Sequence, residues 1–122
     1  MKKLKNLFVP YEQSFQLKEL GFDEPCFGIF IDGNFNLIFT DRQVSDKVIS
    51  APTFSQAFKF IREKYNLIGL VEGGYDNGKN IFTYVIWEGF KDIITDDYFE
   101  TPEEAELECL NELIKMLKEN GK

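Results

Sequence analysis

Histidine is absent from the 122 residues. That excludes Ser–His and Cys–His nucleophile pairs, histidine-based zinc sites and the commonest general base, leaving carboxylate, Tyr, Lys or Cys for any catalysis. Cysteine is scarce. Cys26 and Cys109 stand far apart and alone, too few for a disulfide framework or for a zinc site of their own. Neither has an activating base in view, so both read as small buried hydrophobes. Long apolar runs are missing too; none approaches the roughly 20 residues that a bilayer span requires. The opening MKKLKNLFVP is basic like a signal peptide, but its apolar stretch is only Leu7–Val9, short of the about 7–15 residues of an h-region. The expectation is a cytoplasmic protein with no membrane attachment.

Positive charge is lacking from one long stretch. Between Asp92 and Glu112 there are nine acidic residues and no Lys or Arg. The whole chain has 21 acidic and 14 basic residues; without these nine the balance is 12 against 14, so the net charge of −7 comes from this segment alone. Such a surplus disfavours nucleic acid and anionic lipid, both of which are gripped by Lys and Arg. It suits a basic partner or a well-solvated surface.

Aromatic residues are plentiful: 13 Phe, 5 Tyr and 1 Trp. Each ring buries about 150–250 Å², which lets a small domain build a core. A basic tail over residues 1–9 precedes one domain over residues 10–122. Pro10 suits a first helical position, opening a helix over Tyr11–Leu20 with Tyr11, Phe15, Leu17 and Leu20 turned inward. Gly21 reads as its left-handed stop, with Phe22 folding back. Cys26–Ile31 and Phe35–Phe39 flank Asp32-Gly33-Asn34 as a hairpin. Residues 40–52 are polar, with Lys47-Val48-Ile49 a candidate short edge strand. Phe54, Phe58, Ile61 and Tyr65 then recur at helical spacing over Pro52–Tyr65, with Thr53 and Gln56 a candidate capping box and Asn66 a stop.

Leu67–Glu72 and Asn80–Glu88 pair as a second hairpin across a flexible Gly73–Lys79 turn. Both faces of the second arm are apolar or aromatic, which predicts a central strand covered on each side. Asp92–Phe99 reads as a third strand. Thr101-Pro102-Glu103-Glu104 opens the last helix: Thr101 and Glu104 cap one another, Pro102 is the first helical residue, and Asn120-Gly121 is the stop. Leu107, Leu110, Ile114 and Leu117 form its inner stripe, Leu113 adjoins it, and Ala105 and Cys109 flank it. The fold class is therefore α+β, in the order α-β-β-α-β-β-β-α, with antiparallel hairpins packed against helices.

From Pro52 onward, α-β-β-β-α is also the element order of a double-stranded-RNA-binding domain. In that family the second helix begins with lysines that grip phosphate; the matching positions here are Glu103, Glu104 and Glu106, so the resemblance is one of topology. At residue level, Tyr11-Glu12-Gln13, the run Leu17 to Cys26 (LKELGFDEPC), Arg62-Glu63-Lys64-Tyr65 and Glu103-Glu104-Ala105-Glu106-Leu107 resemble a family of small uncharacterised proteins of bacteriophages and mobile elements of gut bacteria. The likeness spans Tyr11 to Leu117. It implies an accessory protein of a phage or integrated element, working in the host cytoplasm, and transfers no functional residue.

Other constellations dissolve on inspection. Gly73–Lys79 lacks the G-x-x-x-x-G-K-[ST] register of a phosphate loop, and as a calcium loop it would put Tyr84 where a Glu is required. Phe82, Tyr84 and Trp87 as a stacking platform have only Lys79 and Lys91 near them, too few basic neighbours; core packing explains them. No residue is assigned a catalytic, cofactor-binding or metal-ligating role, and no cofactor is expected. With Glu103 and Glu104 occupied at the helix start, Asp92, Asp96, Asp97, Glu100, Glu106, Glu108 and Glu112 remain as a partner-binding acidic face. The expected function is non-enzymatic binding of a protein with a basic surface. The alternatives are a structural or assembly component of a virion, or a small carboxylate-based enzyme. Oligomeric state is left open.

Overall fold

A computed structural model describes residues 6–40, 48–95 and 97–120. Among them are three helices and two antiparallel three-stranded sheets, the α+β class and element order read from the sequence. The chain gathers into two compact units, Met1–Ala57 and Phe58–Lys122.

In the first unit, helix α1 spans Tyr11–Glu19. Pro10 stands just outside it as the N-cap, with extended backbone (ψ 165°) and a carbonyl that accepts from the Ser14 N–H at 2.9 Å. The far end is closed as expected. Gly21 (φ +102°) donates to the Lys18 carbonyl at 3.0 Å and Phe22 to the Leu17 carbonyl at 2.9 Å, the two bonds of a Schellman stop, and Phe22 is buried. The inward face differs from the expected one. Ser14 and Leu17 are buried, while Tyr11 and Phe15 remain exposed. The Ser14 hydroxyl donates to the Val9 carbonyl at 3.0 Å, which holds that side of the helix against the segment before it.

Strands β1 (Cys26–Ile31) and β2 (Asn34–Thr40) form the expected hairpin through Asp32 (φ +52°) and Gly33 (φ +82°), the two positive φ values of a type I′ turn. Strand β3 (Val48–Ala51) adds to the other side of β1, giving the order β2-β1-β3; residues 41–47 lie outside the described residues. Phe8, Phe30, Ile49 and Ala51 form one core cluster, with Phe35 against it. Phe8 and Val9 are thus core residues rather than tail: Phe8 bridges to Thr53, and the Val9 N–H donates to the Pro52 carbonyl at 2.8 Å. Gly28 makes room for this. A β-carbon there would stand 2.8 Å from the Phe35 ring and 3.1 Å from that of Phe8.

Helix α2 spans Phe54–Tyr65. Thr53 and Gln56 form the capping box: the Gln56 N–H donates to Thr53 Oγ1 at 3.2 Å and the Thr53 N–H to Gln56 Oε1 at 3.0 Å. Asn66 (φ +62°) is the stop. Phe54, Ala57, Phe60 and Ile61 are buried, whereas Phe58 and Tyr65 are half-buried, so the expected stripe is shifted to include Phe60.

The second unit is a meander, β4 (Leu67–Asp76), β5 (Lys79–Glu88) and β6 (Lys91–Ile94), with helix α3 (Pro102–Asn120) packed on β4 and β5. The flexible turn expected over Gly73–Lys79 is mostly strand. Gly73 pairs with Phe82, Gly74 with Ile81 and Asp76 with Lys79, leaving only Asn77 (φ +51°) and Gly78 (φ +79°) as a second type I′ turn. Asn-Gly is the strongest short hairpin signal, and it outweighs the low strand propensity of two glycines. The third strand is shorter than expected. It ends at Ile94, and the chain rejoins the sheet at Phe99, which exchanges both backbone hydrogen bonds with Phe82 at 2.8 and 2.9 Å.

Helix α3 starts as read, at Pro102. The Glu104 N–H donates to Thr101 Oγ1 at 3.1 Å, and Glu104 Oε1 accepts from the N–H of Thr101 at 3.3 Å and of Glu100 at 3.2 Å. Its expected stop includes Gly121, outside the described residues. Leu110, Ile114 and Leu117 of the expected stripe are buried and Leu107 is half-buried; Ala105, Cys109 and Leu113 are fully buried too, so the packed face extends over the row expected to flank it. Loss of the cap has a measurable cost: Thr101→Ala should lower stability by about 0.5–2 kcal/mol and Thr101→Ser far less, read as a shift in urea midpoint at unchanged slope.

Candidate functional site

The two thiols are shielded by placement. Cys26 and Cys109 are free and buried, and burial pushes each thiol up to about 12. Glu24 adds to the shift at Cys26 against a lowering Ser50 hydrogen bond; Glu106 and Glu112 add to it at Cys109. Neither should react with a thiol-specific disulfide reagent in the folded protein at pH 8, and both should once urea unfolds it. The sign for stability follows. Unfolded thiols release their protons near 9, the folded ones hold them to about 12, so above pH 9 the unfolded state binds fewer protons and is favoured. This contribution is intact below pH 9 and is lost toward pH 12, by at most about 1.4 kcal/mol per pH unit and thiol. A double Cys→Ala variant should show a flatter decline in urea titrations across that window.

Among the described residues no three His, Cys, Asp or Glu side chains come together to hold a metal ion. Burial pushes the Tyr84 phenol up, a hydrogen bond with Thr95 opposes the shift, and Glu112, Cys109 and Glu108 add to it.

The acidic run is distributed over three settings. Asp92 is exposed on β6, opposite Trp87. Asp97 is exposed past the end of β6; its N–H donates to Thr95 Oγ1 at 3.1 Å and its carbonyl accepts from the Thr83 hydroxyl at 3.2 Å. Glu100 is exposed and tied through its backbone to the cap. On α3, Glu108 is exposed and Glu112 half-buried, both within electrostatic reach of Tyr84. Glu106 is half-buried, and burial, then the neighbouring Glu103, push its carboxyl up. Asp96 lies outside the described residues.

The sheet of the second unit adds residues that sequence reasoning placed in the core. A β-carbon on Gly69 would stand 2.8 Å from Cys109 Sγ, 2.9 Å from Leu113 and 3.3 Å from Phe58. The row Gly69–Ile86–Ile93 therefore faces the helices. Because side chains alternate, the rows Leu70–Val85–Ile94 and Ile68–Trp87–Asp92 face the other way. On that side Ile68 is 37% exposed, Trp87 38%, Leu70 48% and Ile94 64%. Val85, in the middle of that side, is buried, so the expected cover on both faces of β5 holds there and fails at Trp87. Alternation also sets Trp87 on the side opposite Phe82 and Tyr84, so the three make no common stacking platform. The apolar character of both faces was visible in the sequence; which face the helices take was not.

No described helix is long and apolar enough to cross a membrane. Comparison with protein-family models, curated proteins and solved structures returns no match for the chain.

Proposed function

We propose that the chain acts by binding another protein without catalysis, as an accessory protein of a bacteriophage or mobile element. The observation that carries the reading is the set of carboxylates exposed to solvent and left over from structural work: Asp92, Asp97, Glu100 and Glu108, with Glu112 at their margin. Glu104 is engaged in the cap, and Glu106, disfavoured as an anion by burial, adds less. Surplus exposed charge of one sign gives a partner with a basic surface both steering and orientation. Protonated, buried thiols and the lack of histidine support binding over group transfer. The phage setting rests on the residue-level resemblance alone.

The test is tagged expression in a bacterial host, identification of the co-purifying protein, and titration of the purified pair. Binding should weaken steeply between low and high salt. It should also weaken when Asp92, Asp97, Glu100, Glu108 and Glu112 are neutralised to Asn and Gln together. Undiminished binding by that variant rejects the acidic surface, and turnover of a substrate by the pure chain rejects the non-enzymatic reading.

A further inference from the structure

Resting on that reading, we propose that the open face of the β4–β5–β6 sheet docks a protein segment that presents apolar side chains flanked by Lys or Arg. Ile68, Leu70, Trp87 and Ile94 are contiguous through the strand register, around the buried Val85. The adjoining turn carries Phe90, fully exposed beside Gly89 (φ +65°). A contiguous apolar face of this kind is where association gains most from water release.

The rim selects the occupant. Glu72 is exposed on β4 one row beyond Leu70, and Asp92 is exposed on β6 beside Trp87. Asp97 sits over Thr83, whose hydroxyl holds its carbonyl. The described cation on this face is Lys79, at the turn end and paired in register with Asp76. A second copy of the chain would press these carboxylates against their own images around a desolvating patch, and like-charge juxtaposition disfavours that pairing. A basic and apolar segment meets both features at once.

Trp87 is the chain's one tryptophan, so its fluorescence reports this face without a label. The probe is a synthetic amphipathic Leu/Lys peptide, with a Leu/Glu peptide of identical pattern as its opposite. In the free protein Trp87 should be quenched by acrylamide. The Leu/Lys peptide should shift its emission to the blue and protect it, and the Leu/Glu peptide should do neither. Leu70→Thr with Ile94→Thr should raise the Kd about tenfold or more. Glu72→Gln, Asp92→Asn and Asp97→Asn together should raise it several-fold at low salt and remove most of the salt dependence. Glu63→Gln, exposed on α2, should leave it unchanged. Circular dichroism and thermal unfolding establish that each variant is folded.

Leu/Lys binding that leaves Trp87 unmoved, or that is lost on Glu108→Gln with Glu112→Gln and kept by the three rim substitutions, overturns this inference while the acidic-surface reading stands. Trp87 already shielded in the dilute monomer overturns it, as does a blue shift that follows protein concentration and dimer formation in sedimentation. Failure of both peptides to bind overturns it as well, and if the native partner's binding also ignores the acidic substitutions, the broader reading falls with it.

Discussion

Leu113→Ala should destabilise the second unit by about 2–5 kcal/mol, the range for removing a fully buried leucine and leaving a cavity. Leu113 has no exposed surface, and it lies on the row of α3 that meets the sheet most closely, at Gly69. The upper part of the range is expected because its neighbours there cannot collapse inward. Gly69 has no side chain to extend, and Cys109, fully buried one helical turn away, is short. A domain of this size is stable by only about 5–15 kcal/mol, so the variant should unfold at a clearly lower urea concentration with an unchanged slope. Leu107→Ala, on the half-buried side of the same helix, should cost distinctly less. Equal costs at the two positions would contradict the packing described.

Gly69→Val should be comparably damaging for the opposite reason. Its first carbon alone would stand 2.8 Å from Cys109 Sγ and 2.9 Å from Leu113, inside any normal contact distance, and two further methyl groups follow. Overpacking a core commonly costs about 1–3 kcal/mol and occasionally more. The gain in strand propensity and the loss of glycine's freedom in the unfolded chain offset only part of this, about 0.4–1 kcal/mol for the latter. The two sites touch, so their effects should not add. Gly69→Ala in a Leu113→Ala background should be less harmful than in the native background, with a coupling of about 0.5–3 kcal/mol, measured as a double-mutant cycle. Strict additivity would mean that the helix does not sit on the sheet at this residue.

Much of the fold could be read from local chemistry. Gly21 and Phe22 closing α1, Asp32-Gly33 turning the first hairpin, and the Thr53–Gln56 and Thr101–Glu104 boxes opening helices all appear where expected. Each is a contract among residues within a few positions of one another, enforced by backbone φ and by a short hydrogen bond. Misreadings occurred where a local rule met a distant partner. Gly73 and Gly74 suggested a loop, but pairing with Phe82 and Ile81 holds them in strand. Phe8 and Val9 suggested the end of a tail, but Thr53 and Pro52 claim them. Tyr11 and Phe15 suggested the inner face of α1, which Ser14 and Leu17 occupy.

The candidate surface divides along the same line. Sequence alone determined that one 21-residue span carries the whole net charge, that histidine chemistry is impossible, and that β5 is apolar on both sides. Charge, composition and period-two alternation are properties of the chain itself. The sequence also divided the acidic run between a strand and the last helix; the tertiary structure alone decided that the strand stops at Ile94 and leaves Asp97 beyond it. It decided too that the helices cover the Gly69 face and leave Ile68, Leu70, Trp87 and Ile94 open. Alternation says that a strand has two faces and is silent on which is covered; on the covered face Gly69, without a side chain, lets α3 approach the sheet closely.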